Sequence, residues 1–296
     1  MIALAHGVSV LALLGLGIFV GFVAGLFGVG GGFLLTPLLS VVLGLPPPIA
    51  VGTGLCQMVG TATAALLRHR RLGQGELRMD CLMLAGSLLG VSAGAASVSM
   101  LEAAGNVQVG ARSMPLSTLV IYGGYLLFLA VTTLGLVRRP RSSADTPALV
   151  KPGPLARLRV PPLVALPRVP PLRVSAIVAA YLGLALGFVS GLLGVGGGVA
   201  LLPVLLYGYG FPIRQAAGTG ILVLLVTALH GTFLHARAGH VDLPIALTLL
   251  AGASISAQFG ALATHRLRPR TLRLGLAGLV LLTLLAVAVA LISRLR

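Results

Sequence analysis

The chain has 296 residues and a formal net charge of +16, yet only 9% of its residues are charged and 57% are hydrophobic, with a mean hydropathy of +1.06. Soluble globular chains carry roughly 25% charged residues, so this composition excludes a soluble domain and implies a lipid environment. The basic residues sit in loops between apolar runs, which is a membrane-topology signal and not a nucleic-acid surface.

A membrane helix needs about 20 mostly apolar residues, and such runs occupy 8–43, 49–67, 79–101, 116–137, 174–210, 216–234, 241–264 and 271–293. Only Met1 to Gly7 precede the first, with no Lys or Arg, so no secretory signal peptide is expected. As one helix the run 8–43 would measure about 54 Å, against a hydrocarbon core of about 30 Å. Gly28, Gly30, Gly31 and Gly32 lie near its middle, where the backbone turns freely, so the run is predicted to be a hairpin of two helices meeting at the glycines. The second run carries Gly52-Thr53-Gly54 and Gln57 and ends on Arg68, His69, Arg70 and Arg71. After the fourth run, residues 138–173 hold nine prolines and eight basic residues. That text rules out a continuous helix and predicts a disordered or extended connector, with attraction to anionic lipid heads as its functional alternative.

Beyond the connector the sequence repeats itself. Gly25–Leu39 reads GLFGVGGGFLLTPLL and Gly191–Leu205 reads GLLGVGGGVALLPVL, a displacement of 166 from Pro37 to Pro203. The register holds onward: Gly52-Thr53-Gly54 falls on Gly218-Thr219-Gly220, His69 on His235, Arg71 on Arg237, and Glu76 on Asp242. Gly194, Gly196, Gly197 and Gly198 break the second long run as their counterparts break the first. The predicted fold is an all-α polytopic membrane protein. It comprises an N-terminal transmembrane repeat (1–137), a cytoplasmic Pro/Arg-rich linker (138–173) and a C-terminal transmembrane repeat (174–296). Each repeat opens with a Gly-broken helical hairpin. Five segments per repeat is an odd number, so the copies are expected to be inverted. That arrangement puts every Lys and Arg inside except Arg112, Arg237, Arg294 and Arg296, whereas parallel copies would bring the last three inside but expose Arg214 and the four arginines of the 266–273 cluster.

A helix broken within a bilayer frees backbone groups that lipid cannot satisfy, so two matched breaks imply a shared polar cavity. Helices restarting after Gly32 and Gly198 would turn N–H groups and partial positive charge toward it, which suits an anion. Thr53, Thr219 and Gln57 are neutral donors just beyond the hairpins and are the predicted selectivity residues, with own-helix hydrogen bonds as the structural alternative for the threonines. His69, Arg71, His235 and Arg237 are candidates for a gate or mouth, or for interfacial anchors. Glu76, Asp80, Glu102, Asp145 and Asp242 all lie at run ends or in loops, so none is named as a proton carrier. Cys56 and Cys81 lack a CxxC spacing and point to neither a metal site nor a disulfide, although Cys56 adjoins the polar cluster. GVGGGF and GVGGGV complete neither GxGxxG nor a P-loop.

The twice-occurring GxxGVGGGxxxxPxL, the GTG after it, and HARAGHVDLPIALTLLAGASISAQFGA resemble the sulfite exporter TauE/SafE family over the whole chain except the connector. The resemblance implies a secondary transporter, in a cell membrane such as a bacterial inner membrane, for small and typically sulfur-containing anions such as sulfite, sulfonates or thiosulfate. Its partners would be the anion, the bilayer, and a proton or sodium ion if transport is coupled, with no cofactor, metal or catalytic residue. Where the family often reads GTS, this chain has Gly54 and Gly220, and that serine hydroxyl is missing. Two rivals stand beside this: an uncoupled anion channel, and an intramembrane serine protease built on Ser190 and His230, against which the symmetry argues.

Overall fold

The computed structural model describes residues 9–28, 30–109, 112–137, 153–169, 172–267 and 269–295; residues 138–152 of the connector, Asp145 among them, lie outside these. In the first repeat α1 (Val10–Phe27), α2 (Gly32–Val41), α3 (Pro47–Arg71), α4 (Leu77–Ala103) and α5 (Leu116–Val137) follow one another. The second contains α6 (Ala176–Leu193), α7 (Gly198–Pro203, prolonged by a wider turn to Tyr209), α8 (Ile213–Gly218), α9 (Ile221–Arg237), α10 (Leu243–Arg266) and α11 (Pro269–Leu295). Capping residues recur at the repeat distance. Ser9 and Ser175 accept backbone N–H bonds at the starts of α1 and α6, and Glu76 and Asp242 do so at α4 and α10, relieving helix-end donors that lipid would leave unpaired. Among the described residues strand is confined to two small antiparallel pairs, β1 (Asn106–Val109) with β2 (Arg112–Pro115), and β3 (Leu163–Ala165) with β4 (Arg173–Ser175).

Among the described residues eight helices are long and apolar enough to cross a membrane, α8 and α9 together making one of them. The chain does reverse at the first glycine run: a methyl group built on Gly31 would lie 2.7 Å from Val20 Cγ1 and 3.2 Å from Ala24 Cβ, back along α1. The returning arm differs from a full span, because the ten residues of α2 reach only about 15 Å.

Glycines fix how the repeats dock. Gly17, Gly21 and Gly25 of α1 press on the backbone of Leu249, Ala253 and Ala257 in α10, and Gly183, Gly187 and Gly191 of α6 press on Met83, Ser87 and Val91 in α4. Each contact in one seam maps onto its partner in the other by the repeat displacement. A Cβ at Gly25 would sit 1.9 Å from the Ala257 carbonyl oxygen, so only glycine permits this approach. Equivalent helices α3 and α9 run antiparallel. Gly52 meets the His240 carbonyl, Leu55 meets Gly231, and at the far end Gly75 meets the Gly218 carbonyl.

Two local features depart from the sequence-based expectation. Connector residues 153–169 are neither disordered nor merely extended: Leu166 and Val169 are buried in the core, the Arg78 guanidinium donates to the Ala165 carbonyl at 3.0 Å, and Glu76 accepts from the Arg168 N–H at 2.8 Å. The prolines stop helix formation, yet three-residue strands and side-chain bonds still tie the segment down. The same tripeptide, moreover, is helical in one repeat and broken in the other. Gly52-Thr53-Gly54 lies inside α3, whereas α8 ends at Gly218, Thr219 is extended and Gly220 is left-handed at φ 90°. The cause is Asp80, whose carboxylate accepts the Gly220 N–H and pairs with Arg70; the matching residue Ala246 offers no acceptor. Asp80 is thus fully buried in α4 and not at a solvated end.

Candidate functional site

The two glycine loops face each other between the repeats. Gly28, Gly30 and Gly31 (φ 66°, 75° and 77°) and Gly194, Gly196 and Gly197 (φ 70°, 74° and 69°) are all left-handed, a conformation that side chains disfavour. Gly32 packs against the Gly194 carbonyl and the Met58 sulfur, while Gly30 and Gly196 both close on Met58 and Leu224. Met58 and Leu224 occupy equivalent positions, so each repeat contributes one apolar plug. Cavities here are small, about 10 Å³ beside Gly196, Gly197 and Thr227 and about 10 Å³ beside Thr36, room for about one water each. The site is closed.

Polar groups ring the loops unevenly. Thr61 Oγ1 lies 3.4 Å from the Gly30 carbonyl and 3.1 Å from that of Met58, and its counterpart Thr227 donates to the Leu224 carbonyl at 3.0 Å. Gln57 stands in α3 at helical spacing from Gly54, which packs on Thr36, and from Thr61, which reaches the Gly30 carbonyl. Its amide is fully buried and neither its nitrogen nor its oxygen has a hydrogen-bond partner, a costly state in an empty site and a useful one where a ligand is to be bound. Four hydroxyls follow α2 away from Gly32. Thr36 Oγ1 reaches the Gly194 carbonyl at 3.5 Å, Tyr125 OH donates to the Gly32 carbonyl at 3.4 Å, and Ser40 Oγ and Tyr122 OH are 2.7 Å apart.

The sequence-predicted residues divide accordingly. Gly30, Gly32, Gly194 and Gly196 meet between the repeats around Met58 and Leu224, whereas Gly28 packs against the Ala217 carbonyl, Gly31 against Val20 and Gly197 against Leu186. Thr53 and Thr219 are occupied elsewhere: Thr53 Oγ1 accepts the Asp242 N–H at 2.9 Å, and Thr219 Oγ1 accepts the Glu76 N–H at 3.0 Å while donating to the Gln215 carbonyl at 2.8 Å. Each threonine therefore bonds the N-cap residue of a helix in the opposite repeat, α10 for Thr53 and α4 for Thr219. His69 and His235 are buried, their Nε2 atoms 3.3 and 2.9 Å from the Gly25 and Gly191 carbonyls. A carbonyl only accepts, so each Nε2 carries the hydrogen. Arg71 and Arg237 are exposed. His230 Nε2 meets Ser92 Oγ at 2.8 Å and not Ser190, whose hydroxyl has no partner, so the serine–histidine dyad is not formed. Among the described residues no three metal-ligating side chains cluster. Sequence reasoning overlooked Thr36, Ser40, Tyr122 and Tyr125. The i, i+4 spacing of Thr36 and Ser40 on a ten-residue apolar helix was the available signal.

Paired broken helices, sealed between interlocked repeats inside eight membrane-length helices, define a polytopic membrane transporter. The chain belongs to the sulfite exporter TauE/SafE family, whose model matches residues 13–287. It is similar to two probable membrane transporter proteins of Bacillus subtilis, YjnA (29% identical, covering 90% of this chain and 95% of the relative) and YunE (24%, covering 89% and 92%). A probable membrane transporter protein of Xylella fastidiosa is 28% identical over 87% of this chain and 86% of its own. No solved structure matches.

Proposed function

We propose that this transporter carries small sulfur-containing oxyanions, of the sulfite, sulfonate or thiosulfate class, by alternating access around the glycine loops. The observation that carries this is the buried, unpartnered Gln57 amide, next in the chain to the Met58 that packs against Gly30, Gly32 and Gly196. An amide N–H₂ and glycine backbone N–H groups can replace the water around an oxyanion without fixing it by a full opposite charge, so release stays fast. The antiparallel packing of α3 on α9 supports inverted repeats, with 1–137 and 174–296 as the two halves and 138–173 as their link. Two halves of like construction and opposite direction can present one central site to either side in turn. A proton or sodium ion would couple the cycle.

The test is uptake and counterflow in proteoliposomes across sulfite, thiosulfate, methanesulfonate, sulfate and acetate. Exchange of preloaded sulfite or thiosulfate, saturable and stronger than for acetate, is the expected result. Non-saturable flux of all anions alike would make the protein a channel, and no flux of any sulfur oxyanion would overturn the substrate class.

A further inference from the structure

The four hydroxyls along α2 form a file and not a patch. Thr36 and Ser40 lie one turn apart on α2, and Tyr125 and Tyr122 face them from α5, so the file runs from the glycine loop to the last turn of α2. All four are buried. Ser40 gives its hydrogen to the Leu45 carbonyl at 3.1 Å, so Tyr122 supplies the hydrogen of the 2.7 Å contact between them. Thr36 and Tyr125 donate to the carbonyls of Gly194 and Gly32, one on each glycine loop. The second repeat has nothing comparable, since Leu202 and Leu206 stand where Thr36 and Ser40 would fall. A file of hydroxyls needed only to join helices would be expected in both copies of a unit that otherwise repeats its caps, seams and loops.

Resting on the proposed anion transport, we propose that the α2–α5 seam is the route between the glycine loops and the membrane face at the C-terminal end of α2, with Thr36, Tyr125, Tyr122 and Ser40 as its successive anion donors. In the closed state each hydroxyl is satisfied by a carbonyl or a neighbour, so the empty seam carries no unpaired donor. An oxyanion entering it exchanges each of these bonds for a charge-assisted one, and the bonds reform behind it. The cavity along the seam, about 10 Å³ and capped by Val287 of α11, holds no oxyanion as it stands, so passage requires α2 to part from α5 and α11.

The test compares uptake of sulfite and thiosulfate by Thr36→Val, Ser40→Ala, Tyr122→Phe and Tyr125→Phe, each checked for a monodisperse elution profile, with Tyr209→Phe as control because its buried hydroxyl has no partner. A three- to thirtyfold rise in half-saturation for the four, and none for the control, is expected. Independently, in a Cys56→Ser/Cys81→Ser background, Ser40→Cys should react with a small charged methanethiosulfonate and be protected by methanesulfonate, which does not consume the reagent, while Leu206→Cys should not react. Wild-type kinetics in all four variants, or equal reactivity at positions 40 and 206, would overturn the route. Should the wild type carry no anion at all, the proposed substrate falls, and the labelling contrast alone decides whether the seam is a solute path.

Discussion

A buried amide with no partner is destabilising unless something binds it, and this separates two consequences of altering Gln57. Gln57→Leu keeps the volume and removes an unsatisfied group, so melting temperature in detergent should hold or rise. Oxyanion affinity should fall about tenfold or more, because a hydrogen bond to a charged group is worth roughly 1.5–3 kcal/mol. Thr53→Val and Thr219→Val should behave oppositely, leaving the N–H groups of Asp242 and Glu76 unpaired and lowering stability by about 1–3 kcal/mol. If instead Thr53→Val weakens anion binding at unchanged stability, its hydroxyl faces the ligand during transport. Gln57 was legible in the sequence because it is an isolated amide inside an apolar run. Thr36, Ser40, Tyr122 and Tyr125 were not, since the former pair lies about 85 residues from the latter and only the packing of α2 on α5 makes one group of them. The placement of Thr53 and Thr219 was also hidden, because their partners are backbone N–H groups of the other repeat.

At the scale of the element, the glycine hairpins and the repeat were legible because glycine bunching and register are properties of the chain itself. The seams that join the repeats were in plain text, as glycines four apart in Gly17, Gly21 and Gly25 and again in Gly183, Gly187 and Gly191, but their partners belong to distant helices. Gly25→Ala and Gly191→Ala should each lose about 1–3 kcal/mol through backbone overlap. Gly15→Ala, with nothing within 4 Å of the new methyl, should gain up to about 1 kcal/mol of helix propensity. Equal melting points for all three in thermal unfolding would remove the seams from the account. The break between α8 and α9 could not be read from GTG, which is helical in α3; its determinant is a carboxylate about 140 residues away. Asp80→Ala should cost about 3 kcal/mol, the low end for a broken buried pair because Arg70 remains 24% exposed. A double-mutant cycle with Arg70→Ala should recover part of that loss, and hydrogen exchange at Gly220 should change with it. Retained stability and exchange in Asp80→Ala would mean that the break is held by something else.

For the molecule as a whole, the polar contacts sort into two groups. The 72–76 turn meets Gln215, Thr219 and Arg168, while the 238–242 turn meets Gly52, Thr53 and, through the 2.6 Å His240–Glu102 pair, the end of α4. The first group gathers the connector and the basic ends of α3 and α4; the second is nearly free of Lys and Arg. Basic loops stay cytoplasmic, so the first group is assigned to the inside and the second to the outside. In a cysteine-free background, single cysteines at Arg159 and Gly105 test this directly, because both are exposed outside the long apolar helices and nothing lies within 4 Å of a Cβ at the left-handed Gly105. A membrane-impermeant maleimide added to intact cells should label Gly105→Cys and leave Arg159→Cys untouched until the membrane is opened. Labelling of both from one side would place the two turns on the same face, and neither the inverted arrangement nor alternating access by two opposed halves would survive it.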